Sequence, residues 1–354
     1  MNIYFPSSHY NKNYRGLLFP LLKPFIKGVH FSDEERIALY GVSENDVEFT
    51  EVLEEATVVV LTMAWNYYIQ TKKESLAIDF VNTCAGLHKK VIIFNAGDFG
   101  VRVPFFKNSM ILRPSGYASK LGSNEFTLPA FIADPLQKHF QTDTIFERPY
   151  KSKAVVGFCG QANDAFLNAV KESIKTVFRN LKTYAGLSKN ETQQVLSTSF
   201  LRASVLKTFQ QSTAVDTNFI LRKKYRAGVT EQKDSHKTTI AFYNNLKESD
   251  YVVCVRGAGN FSVRFYEALA MGRIPVFINT DCSLPFDFTI DWKKHVVWVE
   301  YEERSIVAKK VKEFHATLSQ EDFIALQHAN RILWKKKLTL DGFFKTFLNE
   351  MQKK

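Results

Sequence analysis

Residues 252–279 read VVCVRGAGNFSVRFYEALAMGRIPVFIN. The apolar, β-branched run from Tyr251 to Val255 is too short for a helix and reads as a buried strand. Gly257 and Gly259 follow, letting the chain turn tightly and approach a ligand with no Cβ in the way. Ser262 is placed to N-cap a helix from about Val263 to Met271, and Gly272 stands where a left-handed C-cap is expected. Phe265 occupies the position at which a full capping box would need Glu or Gln. The apolar run Ile274 to Ile278 closes a strand, turn, helix and strand, which predicts a parallel α/β unit.

A glycine turn opening a helix presents unpaired N–H groups and the positive end of the helix dipole, a ready anion site. Arg256 enters the turn and Arg264 lies in the first helical turn, so two guanidinium groups flank it, each able to bind two phosphate oxygens at once. Glu267, three residues after Arg264, projects from the same helix face and could accept hydrogen bonds from ribose hydroxyls. The same residues also fit a plain reading, in which Arg264 and Glu267 form a surface ion pair and the glycines only shape a turn. No Gly-Lys-Ser/Thr follows, and the spacing is not the full dinucleotide fingerprint, so the residues themselves indicate a phosphate or nucleotide site without naming its chemistry.

The ordered block Arg256-Gly257, Ser262-x-Arg264-x-x-Glu267-Ala268-Leu269, Gly272-x-Ile274-Pro275-Val276, Leu284-Pro285-Phe286 and Asp291-Trp292 resembles the signature of the exostosin family of glycosyltransferases. The clear part covers roughly residues 220–300, with weaker echoes in His88–Asp98 and Val155–Gly160; the N-terminal third resembles the family only in its pattern. The resemblance implies a GT-B architecture: two Rossmann-like α/β domains whose parallel sheets face each other across a cleft. It further implies an inverting transfer from a nucleotide-sugar, expected to be UDP-linked, to a glycan or glycolipid acceptor. In such chains a basic segment precedes the block. Here it is Arg222-Lys223-Lys224-Tyr225-Arg226, from which Arg222 or Arg226 would reach the donor phosphates.

A chain of 354 residues is long for one core and comfortable for two domains. Its 45% hydrophobic and 23% charged residues are those of a globular chain and exclude disorder as the ground state. No apolar run approaches the roughly 18 residues of a membrane span, and no basic region with an apolar signal core opens the chain. The expectation is a cytoplasmic protein, either free or peripheral on the inner membrane face. Animal exostosin-type enzymes are anchored in the secretory pathway, so this difference suggests a bacterial enzyme of surface-polysaccharide (lipopolysaccharide-type) assembly. Cys84, Cys159, Cys254 and Cys282 have no paired spacing and read as buried free thiols, with neither zinc nor a disulfide framework. A net charge of +11 calls for an anionic partner: nucleotide donor, acidic glycan, anionic lipid or nucleic acid. The basic-aromatic alternation does not repeat, which disfavours nucleic acid.

Ile3–Phe5 is a first strand, and the loop after it carries His9, a candidate base beside the alternative of a solvent-exposed loop histidine. Thr57–Thr62 is a second strand. Tyr67–Leu87 has helical spacing with Leu76, Phe80, Cys84 and Leu87 along one stripe, and Val91–Asn95 is a further strand ending in Ala96-Gly97-Asp98. Asp98 at the carboxyl end of that strand is the preferred base for an inverting step, which needs one group to take the acceptor hydroxyl's proton; its alternative is a turn residue. Residues 99–150 carry five prolines and read as irregular, with the domain boundary near Pro149. The domains expected are 1–149 on the acceptor side, 150–320 holding the nucleotide-sugar, and C-terminal helices 321–354 returning to the first domain.

Within the second domain, Ala154–Cys159 is a strand, Asn163–Leu181 a helix with Lys171, Lys175 and Arg179 on a solvated face, and Asp281–Asp287 a loop facing the cleft. No Asp-x-Asp pair occurs, so no metal and no separate cofactor are expected. The donor site predicted is Arg222, Arg256, Gly257, Gly259, Asn260, Ser262, Arg264 and Glu267. The C-terminal helices, with Lys335–Lys337, Trp334, Phe343, Phe344 and Phe347, read first as an interdomain strap and second as a membrane-surface contact. Two rivals fit the same features: a GDP-fucose-dependent transferase of similar architecture, and a non-catalytic basic protein binding acidic glycan or nucleic acid.

Overall fold

In the computed structural model, which describes residues 1–27, 29–162, 164–222 and 232–352, eleven strands form two sheets and every pairing is parallel. The first sheet contains β1 (Asn2–Tyr4), β2 (Glu48–Phe49), β3 (Val58–Val60), β4 (Val91–Phe94), β5 (Ser109–Arg113) and β6 (Glu125–Thr127), in the order β2-β1-β3-β4-β5-β6. With it come α1 (Asp33–Tyr40), α2 (Trp65–Gln70), α3 (Glu74–Gly86) and α4 (Pro135–Phe140). The second sheet contains β7 (Val155–Gln161), β8 (Asp216–Arg222), β9 (Tyr251–Cys254), β10 (Ile274–Asn279) and β11 (Val297–Glu300), in the order β11-β10-β9-β7-β8. Its helices are α5 (Phe166–Tyr184), α6 (Thr198–Gln210), α7 (Gln232–Lys247), α8 (Val263–Ala270) and α9 (Val307–Ala316), and the chain ends in α10 (Gln320–Leu333) and α11 (Leu340–Gln352). Two doubly wound parallel sheets with a cleft between them make the GT-B architecture.

Strands buried on both faces lose the polar alternation of an exposed sheet and become continuous apolar runs. Val91–Phe94 and Tyr251–Cys254 are buried at every position, and β9 pairs in register with β10 through Val253 opposite Val276. The decisive unit forms as read: β9, a turn, α8 and β10, with Gly272 at φ 67° ending the helix. Ser262 takes the N-cap position with extended backbone, yet its hydroxyl makes no capping hydrogen bond.

Residues 99–150, expected to be irregular, contain β5, β6 and α4. Their strands are too short, three to five residues between turns, to show a period. The single helix expected over Tyr67–Leu87 is two helices divided where Lys72 takes φ 56°, and the buried stripe is Ala77, Val81 and Cys84, leaving Leu76 and Leu87 exposed. The helix expected from Asn163 begins at Phe166, Asn163 itself lying outside the described residues.

The C-terminal helices pack across the first sheet. Phe344 meets Phe19 at 5.6 Å between ring centroids, Phe347 meets Phe126 at 5.2 Å, and Lys345 pairs with Asp46 at 2.9 Å. Trp334, Phe343, Phe344 and Phe347 are all buried, so none of them is available to a membrane surface, because the core of the first domain already covers them. All four cysteines are buried free thiols.

Candidate functional site

The order of the second sheet reverses between β7 and β9: from β7 the chain goes out to β8, returns to β9 on the other side, and continues outward. Crossover helices part at such a switch point and leave a crevice beyond the strand carboxyl ends. A cleft of about 790 Å³ lies there, walled by Cys159–Gln161 after β7, Arg222 at the end of β8, and Gly257–Gly259 after β9. α6, α7 and α8 contribute Arg202, Phe242, Tyr243, Arg264 and Glu267, while the first domain closes the far side with Asp98, Lys138 and His139.

Arg264 crosses the cleft floor from the first turn of α8. One Nη donates to the Cys159 carbonyl at 2.9 Å, and the guanidinium lies 4.3 Å from the ring centre of Phe158 and 5.7 Å from that of Phe242. Arg202 donates to the carbonyls of Gln161 at 2.8 Å and Arg256 at 3.2 Å, and Arg222 donates to the Thr238 carbonyl at 2.8 Å. Burial, with Arg264 close by, brings the Arg202 guanidinium down to about 10, and burial lowers Arg264 as well. The Nε atoms of both are buried and make no hydrogen bond. Guanidinium groups buried this close together favour an anion in the cleft, which would offset their mutual repulsion.

Glu267, one turn deeper in α8, accepts from the Tyr243 hydroxyl at 3.3 Å. Tyr243 stacks on His139 of α4, with ring centroids 4.4 Å apart. Burial, Lys138 and His236 all lower the His139 pKa, so this imidazole is neutral at neutral pH. Asp98 is exposed on the turn after β4 and faces the second domain's glycine turn. A Cβ on Gly259 would come within 2.8 Å of the Asp98 carbonyl oxygen and 2.7 Å of the Phe261 ring, so the approach of the two domains here requires glycine. Among the described residues no three His, Cys, Asp or Glu side chains gather where they could share a metal ion.

The predicted donor residues thus divide. Arg222, Gly257, Gly259, Ser262, Arg264 and Glu267 line the cleft, while Arg256 and Asn260 do not. Arg256 is buried at the domain junction, donating to the Tyr117 hydroxyl at 3.3 Å and the Ala258 carbonyl at 3.3 Å. Asn260 holds the same junction, its N–H on Ser115 Oγ at 2.8 Å and its side-chain amide on the Gly116, Thr280 and Asp281 carbonyls. The Asp281–Asp287 loop docks on the first domain instead of facing the cleft: the Asp281 carboxylate accepts from the Ser119 N–H at 2.9 Å and hydroxyl at 2.5 Å. Arg226, with Lys223–Tyr225, lies outside the described residues.

His9 is 5% exposed, with Nδ1 2.9 Å from the Tyr68 hydroxyl and its ring against Phe80. It is absent from the cleft lining, and burial lowers its pKa, the signature of a neutral core histidine. The sequence reading missed Arg202, Tyr243, Lys138 and His139. One local signal marked the last two: Asp134-Pro135 opens α4, with Asp134 accepting from the Leu136 N–H at 3.0 Å and Pro135 at the first helical position.

Residues 158–313 match the model of the exostosin GT47 domain. Exostosin-1 of Drosophila melanogaster is 33% identical over 91 residues, which are 26% of this chain and 11% of that protein. A probable glucuronosyltransferase 47 A of Physcomitrium patens is 30% identical over 86 residues, 24% of this chain and 18% of that one. The chain therefore aligns with less than a fifth of either relative. A solved glycosyltransferase from Rickettsia africae ESF-5 aligns over 99% of this chain and 97% of its own at 9% identity and a TM-score of 0.36. The cleft-lining stretch Cys159–Glu267 lies inside the residues that match the exostosin GT47 domain.

Proposed function

We propose that this protein is an inverting glycosyltransferase that takes a sugar from a UDP-linked donor, without a metal ion, and passes it to a glycan or glycolipid acceptor. The observation that carries the reading is the set of three arginines, 202, 222 and 264, beside the glycine turn and the N-terminus of α8 at the switch point of the second sheet. Such a constellation neutralises a pyrophosphate and stabilises the charge that grows on it as the glycosidic bond breaks. The match to the exostosin GT47 domain and the name of the Physcomitrium patens relative, a probable glucuronosyltransferase, support the reaction class.

In this reading Glu267, oriented by Tyr243, accepts from hydroxyls of the donor. Asp98, across the cleft on the first domain, takes the proton of the acceptor hydroxyl as it attacks the anomeric carbon from the face opposite the leaving nucleotide. Isothermal titration with UDP, GDP, CMP and ADP, each with and without EDTA, tests the donor half. UDP is expected to bind equally in EDTA, and Arg222→Gln to weaken it by about tenfold or more, as loss of a charged hydrogen bond does. Preference for GDP would favour the fucosyltransferase-like alternative. Failure of every nucleotide to bind would sink the transferase reading and leave a basic binding protein.

A further inference from the structure

α5 is turned the opposite way from an ordinary surface helix. It faces the protein with its polar side: Glu172 accepts from the hydroxyls of Ser197 at 2.6 Å and Ser199 at 2.8 Å. Asn180 exchanges hydrogen bonds with Gln193, Thr183 is buried, and Arg179 lies 3.9 Å from the ring centre of Phe99. The opposite side is apolar and open. Phe166 is 71% exposed, Leu167 73%, Phe178 62% and Leu181 55%, and Ile174 and Val177 continue the stripe between them. At 3.6 residues per turn these positions fall on one face. Beside it an apolar groove of about 600 Å³ runs between α5 and α6, with Val195 and Phe200 also exposed. An apolar surface this continuous marks a contact with something outside the chain.

The charges select what that something is. Lys171, Lys175 and Lys182 are exposed along one edge of the apolar face. The carboxylate on α5, Glu172, is turned inward and held by the two serines, so the exposed side of the helix is purely cationic. A second copy meeting this face about a two-fold axis would set one lysine edge against another in a chain already carrying +11. An apolar strip with a lysine border fits instead the boundary between acyl chains and anionic headgroups.

We propose that α5 docks this protein on an anionic lipid surface, its Phe166–Leu181 face inserted among the acyl chains and its three lysines on the headgroups. Among the described residues no helix is long and apolar enough to cross a membrane, and docking through α5 needs none. The helix begins just after Gln161, which lines the cleft, so the docked face holds the cleft mouth close to the lipid surface. This docking stands independently of the donor chemistry.

Flotation of the full chain with vesicles tests it. Binding is expected to vesicles of mixed phosphatidylcholine and phosphatidylglycerol, weakly or not at all to phosphatidylcholine alone, and less in high salt. Phe178→Ser/Leu181→Ser is expected to lose at least tenfold in affinity. Replacing all three lysines by Gln should lose on the order of a hundredfold, at about fivefold for each lysine. All five side chains are exposed, so both variants should keep the parent melting temperature. As a second readout, Trp introduced by Phe178→Trp should shift its emission to the blue on anionic vesicles. The proposal is overturned if the parent chain binds neither vesicle, or if both variants bind as the parent does. It is equally overturned if sedimentation shows a dimer that Phe178→Ser/Leu181→Ser dissolves, which would give the face to a second copy.

Discussion

His139 shows how a single side chain reports the state of the cleft. It stands between Lys138 and His236 with one face on Tyr243, and burial is the largest influence lowering its pKa from 6.5, followed by the two basic neighbours. A base whose pKa is depressed stays neutral down to more acidic pH, so the imidazole gains its proton only as pH falls below the ordinary histidine range. A pyrophosphate in the cleft would favour the charged form and move the midpoint back up. Proton NMR of the histidine Cε1–H resonances should therefore place His139 below 6.5 without nucleotide and higher with UDP, while Lys138→Gln should raise it in the nucleotide-free protein. By the same linkage donor affinity should increase modestly as pH falls through that midpoint. A midpoint that UDP leaves in place would separate His139 from the phosphate site.

Among the elements, the turn between β9 and α8 most closely joins sequence to chemistry. Gly259 has the Asp98 carbonyl against one side, so Gly259→Ala must push the Asp98 turn away or displace Phe261. An overpacked contact of this kind costs about 1–3 kcal/mol, readable as a lower urea midpoint, and under the proposed role of Asp98 as base a shift of its turn should slow turnover more than it weakens UDP. Equal activity and stability in the variant would show that the two loops do not need this approach. The turn was legible in the sequence because glycine, cap position and apolar strands are local signals, all within 252–279. Arg256 and Asn260 lie in the same stretch, but what they touch, Tyr117 and Ser115, comes from the other domain and leaves no local trace. Arg202 was invisible for the same reason: its place in the cleft follows from how α6 packs on β7, while its sequence neighbours are those of any amphipathic helix. The short strands β5 and β6 escaped because three to five residues cannot establish a period. α5 was recognised as a helix, but only tertiary packing could show that its polar side faces inward.

Across the whole molecule, one side chain of the C-terminal helices contacts the helices that form both cleft walls. Arg331 of α10 forms a two-pronged pair with Asp134, at 3.0 and 2.5 Å, and also donates to the Ala270 carbonyl at 2.9 Å. Asp134 caps α4, which carries Lys138 and His139, and Ala270 ends α8, which carries Arg264 and Glu267. One buried guanidinium thus ties both walls to the helix that leads on to α11, whose Phe344 is fully buried in the first domain. Removing one partner of a buried pair strands the other, so Arg331→Met should cost about 3–5 kcal/mol in urea unfolding. Asp134→Asn retains an oxygen for the cap and should cost less, and the double variant should fall short of the summed losses by at least about 1 kcal/mol, because both single changes break one interaction. If the strap is what couples the walls, Arg331→Met should also raise KM for acceptor and donor together, since each wall would lose its fixed distance from the other. A cost below about 1 kcal/mol, or losses that simply add, would mean that the walls are held by the junction at Arg256 and Asn260, with α10 only lying over it.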